Sequence, residues 1–175
     1  INGSEGIGTG YSSYIPCYNP KDIKKQLLNI INNKEPSMIH PWYNGFTGSI
    51  EENGPSSYII KGVYKILSKT KLEITELPVG KWTQDYKEFL ESICEGVSKK
   101  PLIENYENHS TETKIHFIIR FDPKVLEKMK KGETIEKDLK LSNTISIKNM
   151  HLFDNNYNIK KYENVIDILK DFAKV

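Results

Sequence analysis

What this sequence lacks is any local signature of catalysis. It has two cysteines, Cys17 and Cys94, at no metal-ligand spacing, a usage that favours a reduced intracellular protein over a disulfide scaffold. Its four histidines, His40, His109, His116 and His151, are far apart, with no Cys, Asp or Glu beside them at ligand spacing. No G-x-S-x-G nucleophile motif occurs. No apolar run approaches membrane-spanning length, and no signal-peptide pattern opens the chain, so no membrane partner is expected. Charge of one sign is also lacking. A net charge of +2 gives no global field for nucleic acid, and any such binding must come from local patches. The initiator Met is missing, which suggests an excised piece of a longer protein. The 175 residues, 37% hydrophobic and 27% charged, still suffice to bury the core of one domain, or of one domain with an appendage.

What is present first is glycine. The opening stretch, "INGSEGIGTGYSSYIP", carries Gly3, Gly6, Gly8 and Gly10 around a single apolar residue, Ile7. The common phosphate loops do not fit. A P-loop needs Lys directly after its last Gly, but Thr9 follows Gly8. A dinucleotide loop needs a third glycine where Tyr11 stands, and a helix beyond it that Pro16 would break. A tight surface loop with glycines at positive φ fits the glycines but leaves Ile7 without a purpose.

The rest of the chain mixes helices and strands without strict alternation, which predicts an α+β fold. Asn19-Pro20 starts a helix, with Asn as cap and Pro at the first helical position. Ile23, Leu27, Ile30 and Ile31 form its apolar face. The stretch "EPSMIHPWYNGFTG" reads as loop. "TGSIEE", "SYIIKGVYKIL" and "KLEITELPV" read as strands of one antiparallel meander. Thr83 caps a second helix, with Tyr86, Phe89, Leu90, Ile93 and Val97 inward and Gly96 near its end. "TKIHFIIRF" is strand-like. Asp122-Pro123 caps a short helix that places Val125, Leu126 and Met129 inward and ends before Gly132. "DLKLSNTISIKNMHLF" reads as extended and "DNNYN" as a turn. A closing helix carries Val165, Ile168, Leu169 and Phe172 on one face, with no stop signal before the chain ends.

Four stretches then identify a family. "NGSEGIGTGYSSYIP", "HPWYNGFTG", "ITELPVGKWTQDYKEFL" and "MHLFDNNYNIKKYENVIDILKDF" occur in this order and spacing. Together they resemble eukaryotic DNA topoisomerase II over nearly the whole chain, most loosely between Gly96 and Lys140. The resemblance implies a fragment of a homodimeric nuclear enzyme that uses ATP and Mg²⁺ to pass one duplex through a transient break in another. It implies that the nucleophilic tyrosine, the ATPase and the metal-binding domain lie upstream, so that this fragment holds no cofactor itself. It further implies a glycine-rich DNA-bending loop at 1–20, on the edge of a winged-helix region. A tower-like α+β domain with an antiparallel sheet and packed helices follows at 21–156, and the start of a helix leading to a coiled-coil arm at 157–175. The isoleucine of the "EGIGTG" motif, here Ile7, inserts between base pairs in that family. The physics agrees: an apolar wedge replaces stacking and kinks the duplex at a cost of roughly a few kcal/mol per step. The other reading of Ile7 is a residue packed on its own domain.

Two further places carry over. The Trp of the "ELPV" motif, Trp82, contacts DNA in the family; by composition alone it is as readily a core residue. The run Lys140, Leu141, Ser142, Asn143, Thr144, Ile145, Ser146, Ile147, Lys148 and Asn149 suits phosphate contact and offers little with which to read bases. It reads equally as an edge strand protected by lysines. Lys81 adds a secondary phosphate contact. Departures from the family are Asn44, at an often basic position, and Tyr11, where a Trp is frequent. The partner implied is double-stranded DNA. Alternatives of other classes are a stand-alone non-catalytic nucleic-acid-binding module and a small enzyme built on the glycine loop. The isolated chain is expected to be a monomer without cleavage activity, because dimer contacts and catalytic groups belong to other segments of the family.

Overall fold

A computed structural model describes residues 1–96 and 101–175, with the side chain of Tyr11 outside that description. Val97, expected on an inward helix face, lies outside the described residues. The chain forms two compact units, each discontinuous in sequence. The first comprises Ile1–Gly45, Glu52–Tyr58 and Ile145–Val175; the second comprises Phe46–Glu51 and Ile59–Thr144. The segment boundaries expected near residues 20 and 156 both fall inside the first unit.

The first unit opens with a hairpin of β1 (Ser4–Gly8) and β2 (Tyr11–Ile15), followed by helix α1 (Pro20–Ile31). Asn19 caps α1, its side chain accepting from the Lys21 N–H at 2.9 Å, as the Asn-Pro pair predicts. Ile23, Leu27 and Ile30 turn inward, but Ile31 is 65% exposed. Gln26 takes its place and is buried. The Gln26 carboxamide oxygen accepts from the Ser37 N–H at 2.9 Å, which ties the following loop to the helix.

At the other end of the chain, β10 (Met150–Phe153) and β11 (Ile159–Tyr162) pair antiparallel around the expected turn. The Asp154 carboxylate accepts there from the Asn156 and Asn158 N–H groups. Helix α5 (Val165–Phe172) closes the unit on a core of Tyr18, Ile39, Val165, Ile166 and Leu169. Its buried face uses Ile166, whereas Phe172 is exposed. A core contributed by α1 selects a face rotated from the one its spacing suggested.

The second unit is built on a four-stranded antiparallel sheet of order β5-β6-β8-β7. Its strands are β5 (Val63–Ile66), β6 (Lys71–Glu76), β7 (Asn105–Asn108) and β8 (Phe117–Arg120). Leu72, Ile74, Phe117 and Ile119 supply buried side chains. Helices α2 (Thr83–Glu95), α3 (Pro123–Lys131) and the short α4 (Ile135–Asp138) add Tyr86, Leu90, Leu126, Met129 and Ile135 to the same core. The Asp122 cap of α3 is as expected, at 2.8 Å from the Lys124 N–H. The α+β class with antiparallel sheets and packed helices therefore holds.

Three further expectations change. Helix α2 begins after Trp82 rather than at a Thr83 cap, and the Trp82 side chain makes no capping bond. In "TKIHFIIRF" only Phe117–Arg120 is strand; the preceding residues form the tip joining β7 to β8, where the His109 N–H meets the His116 carbonyl at 2.8 Å. Strand β7 had no alternating apolar pattern to announce it.

The single meander is also divided. β3 (Ser49–Glu52) and β4 (Ser57–Lys61) join β9 (Ser142–Ser146) in a sheet of order β3-β4-β9, whereas β5 and β6 belong to the four-stranded sheet. The break falls at Gly62, whose N–H donates to the Leu141 carbonyl at 2.9 Å. A Cβ on Gly62 would collide with the Glu76 carbonyl oxygen, and the pairing of β5 with β6 shifts register beside it. Only glycine permits so close a backbone approach. Gly62→Ala should therefore lower the melting temperature of the purified chain by about 5 °C or more. Gly6→Ala, whose Cβ would meet nothing within 4 Å, should leave it nearly unchanged. Thermal denaturation of both variants checks the contrast.

Candidate nucleic-acid interface

The glycine-rich opening is a hairpin rather than a loop. Ile7 pairs with Ser12 and Gly6 with Ser13 in its register. Gly10 makes the turn possible, since its φ of +87° lies where L side chains are strained. Ile7 is 93% exposed, so it is not packed on its own domain. On the opposite face of the strand, an added Cβ at Gly6 would meet nothing within 4 Å.

The base of this hairpin is tied down through β2. Ser13 Oγ donates to the His151 carbonyl at 2.7 Å and accepts from the His151 N–H at 3.1 Å. The Tyr14 N–H donates to the Asn149 carbonyl at 2.9 Å. The Tyr14 and Tyr43 hydroxyls lie 3.2 Å apart. Burial, then the Tyr14 hydrogen bond, pushes the Tyr43 phenol well above its ordinary pKa, so it stays protonated. Lys148 and Asn149 occupy the turn just before β10 and are exposed. The structure thus brings the Ile7 hairpin and the Lys148 turn onto one support.

In the second unit, β6 ends before Pro78 and a turn follows, closed by the Lys81 N–H on the Pro78 carbonyl at 3.0 Å. Trp82 comes next, 74% exposed at the start of α2, so it is not core. One turn further along α2, Tyr86 is buried and its hydroxyl donates to the Leu139 carbonyl at 2.8 Å. The Asn143 carboxamide donates to the Val79 carbonyl at 3.2 Å, which joins the beginning of β9 to the turn that carries Lys81 and Trp82. Lys140, with a left-handed φ of +51°, places its ammonium 4.3 Å from the centre of the Phe89 ring. Both Trp82 and Lys140 therefore border α2.

The run from Lys140 to Asn149 is not uniformly extended. It is the strand β9 followed by a turn at Lys148-Asn149. Strand alternation divides its side chains. Lys140, Thr144, Ser146, Lys148 and Asn149 are exposed, and Ser142, Asn143 and Ile147 are half-buried. Leu141 and Ile145 point inward, and Leu141, 0% exposed, belongs to the core of the second unit. These two side chains are structural and present nothing to a ligand. Asn44 is exposed in the turn it shares with Gly45. Among the described residues, no group of three or more His, Cys, Asp or Glu could hold a metal ion, and no helix is long and apolar enough to cross a membrane.

The first unit thus carries an exposed apolar side chain on a clamped hairpin and, on the same support, an exposed lysine turn. Comparison with known proteins shows the family. The chain belongs to the DNA gyrase/topoisomerase IV A-subunit family, whose model matches residues 1–175. It is 47% identical over 174 residues to DNA topoisomerase 2 of Plasmodium falciparum (isolate K1 / Thailand), covering 99% of this chain and 12% of that one. It is 44% identical over 178 residues to DNA topoisomerase 2 of Drosophila melanogaster, covering 100% and 12%. With DNA topoisomerase 2-alpha of Homo sapiens it shares 41% over 179 residues, again 100% and 12%. The chain thus spans about 12% of the length of these relatives. The crystal structure of the Plasmodium falciparum topoisomerase II DNA-binding, cleavage and re-ligation domain superposes with a TM-score of 0.96 at 45% identity, over 99% of this chain and 24% of that one.

Sequence reasoning missed the supports: Ser13, Tyr14, Tyr43 and the backbone of His151. The one available signal was the tyrosine of "HPWYNGFTG", a large ring in a loop that has to rest on something. The division of the 140–149 run is directly testable. Leu141→Ala should cost about 2–5 kcal/mol of stability through the cavity it leaves. Thr144→Ala, on the exposed face of β9 just beyond it, should stay within about 0.5 kcal/mol of the parent. Urea titration of both variants measures the difference.

Proposed function

We propose that this chain is the DNA-holding and DNA-bending module of a longer type II DNA topoisomerase, a nuclear, ATP-dependent and homodimeric enzyme that passes one duplex through a transient double-strand break in another. Mg²⁺ and ATP are used by other segments of that enzyme. The observation that carries the reading is the near-complete exposure of Ile7 on an anchored hairpin. Leaving an apolar side chain in water forgoes about 1.5–3 kcal/mol of burial, which makes sense for a residue whose burial comes with DNA. Inserted into a base step, it replaces stacking and kinks the duplex. The bend brings more phosphate against protein surface and offsets part of the deformation cost. Family membership and the names of the relatives support the same reading.

Lys140 and Lys148 are the principal phosphate contacts in this proposal, with Lys81 secondary. Ser142, Asn143, Thr144, Ser146 and Asn149 supply neutral hydrogen bonds to phosphate and sugar, and Trp82 contacts DNA. Such contacts position a duplex without reading its sequence.

In the full-length enzyme, Ile7→Ala should abolish most of the bend reported by fluorescence transfer between duplex ends, and cleavage and strand passage should fall with it. Stability should change by no more than about 0.5 kcal/mol, since Ile7 supports no core. Wild-type bending, or a large loss of stability, would overturn the wedge role. Lys148→Ala should weaken binding on all sequences alike and reduce the slope of log affinity against log salt by about one unit. Anisotropy titrations across a salt series decide this. A changed sequence preference would refute phosphate contact.

A further inference from the structure

Ile7 is placed by bonds made elsewhere in its hairpin. Among the described residues, strand β1 pairs with β2 alone, so the pose of Ile7 is the pose of β2. Across an antiparallel pair, partners share a face and neighbours alternate. Ile7 and Ser12 therefore lie on one face at that level of the ladder, and Gly6 and Ser13 on the other. Ser13 is the side chain by which that second face grips β10. Its hydroxyl both donates to and accepts from the main chain of a single residue, His151. Ser and Thr can do this, because a hydroxyl carries a donor and acceptor lone pairs on one atom. Two residues upstream in that segment, the Asn149 carbonyl holds the Tyr14 N–H, and Lys148 precedes it in the turn.

We propose that Ser13 is a positioning residue that couples the Ile7 wedge to the Lys148 turn, so that wedge and phosphate contact meet the duplex in a set register. The inference rests on the DNA-bending reading of Ile7 and adds to it a residue that touches no DNA. Without the hydroxyl, β2 keeps its Tyr14 main-chain bond and the Tyr14–Tyr43 contact, so the hairpin persists with a freer tilt. Lys148 is untouched. Loss of Ser13 should thus separate two properties that loss of general structure would lower together: bending falls while phosphate contact remains.

The test uses the full-length enzyme with Ser13→Ala, Ser13→Thr, Ile7→Ala and the Ser13→Ala/Ile7→Ala double variant. DNA bending is read by fluorescence transfer and binding by anisotropy across a salt series. Ser13→Ala should lower the bent-to-straight ratio about three- to tenfold, the range expected for a lost hydrogen bond. The salt slope should not move, and Ser13→Thr should restore bending to within about twofold. On the Ile7→Ala background, Ser13→Ala should add nothing. Normal bending by Ser13→Ala beside defective Ile7→Ala overturns the positioning role and leaves the wedge reading standing. An additive loss in the double variant, or a shallower salt slope in Ser13→Ala, overturns it as well. Normal bending by Ile7→Ala removes the reading itself and this inference with it. Should Ser13→Ala fail to fold, Tyr43→Phe, which loosens the same strand at Tyr14, carries the same expectations and the same refutations.

Discussion

The first unit depends on the meeting of the two ends of the chain. Ser13 and His151, separated by 138 positions, are joined through one hydroxyl. Closing a loop of that length costs on the order of 4 kcal/mol in chain entropy beyond a constant term. One hydrogen bond contributes about 1 kcal/mol net and cannot meet that cost. The burial of Tyr18 and Ile39 against Val165, Ile166 and Leu169 does. Helices α1 and α5 hold the ends together, and the hydrogen bonds of β2 then place the hairpin. The order of causes runs from apolar packing, through polar positioning, to one exposed isoleucine.

The second unit follows a similar logic with different parts. Its sheet and helices bury a continuous core, and the polar group that core cannot avoid, the Tyr86 hydroxyl, finds the Leu139 carbonyl. The same helix leaves Trp82 exposed at its N-terminus and offers the Phe89 ring to the Lys140 ammonium. Core and surface are thus separated along one helix by its 3.6-residue period, and along β9 by the two-residue period that hides Ile145 and shows Thr144 and Ser146. A surface that combines an indole, ammonium groups and hydroxyls is suited to a sugar-phosphate backbone, which is polar, charged and repetitive.

Much of this is legible in the order of the residues alone. The Asn19 and Asp122 caps, the inward Leu90, Leu126 and Met129, and the turn at Asp154–Asn158 follow from rules that act over a few residues. The misreadings also have local causes. Gly62 looks like an ordinary interruption in a long strand, although its missing Cβ divides that strand between two sheets. Gln26 breaks an apolar stripe and yet is buried, because the Ser37 N–H satisfies it. Strand β7, "NYEN", carries almost no apolar signal, and its pairing with β8 supplies what its composition does not.

The sequence by itself determined the Asn19 and Asp122 caps, the α+β class and, through four motifs in order, the family. It also singled out Ile7, since an apolar residue among glycines is conspicuous in one dimension. It left open whether Ile7 and Trp82 were core or surface, because exposure depends on what the rest of the chain brings near a residue. Only the tertiary structure decided that both are exposed, that Leu141 and Ile145 are hidden within a run of polar neighbours, and that Ser13 grips a strand near the opposite end of the chain. Local propensity acts through neighbouring residues, whereas burial and long-range hydrogen bonds exist only once distant segments have closed on one another.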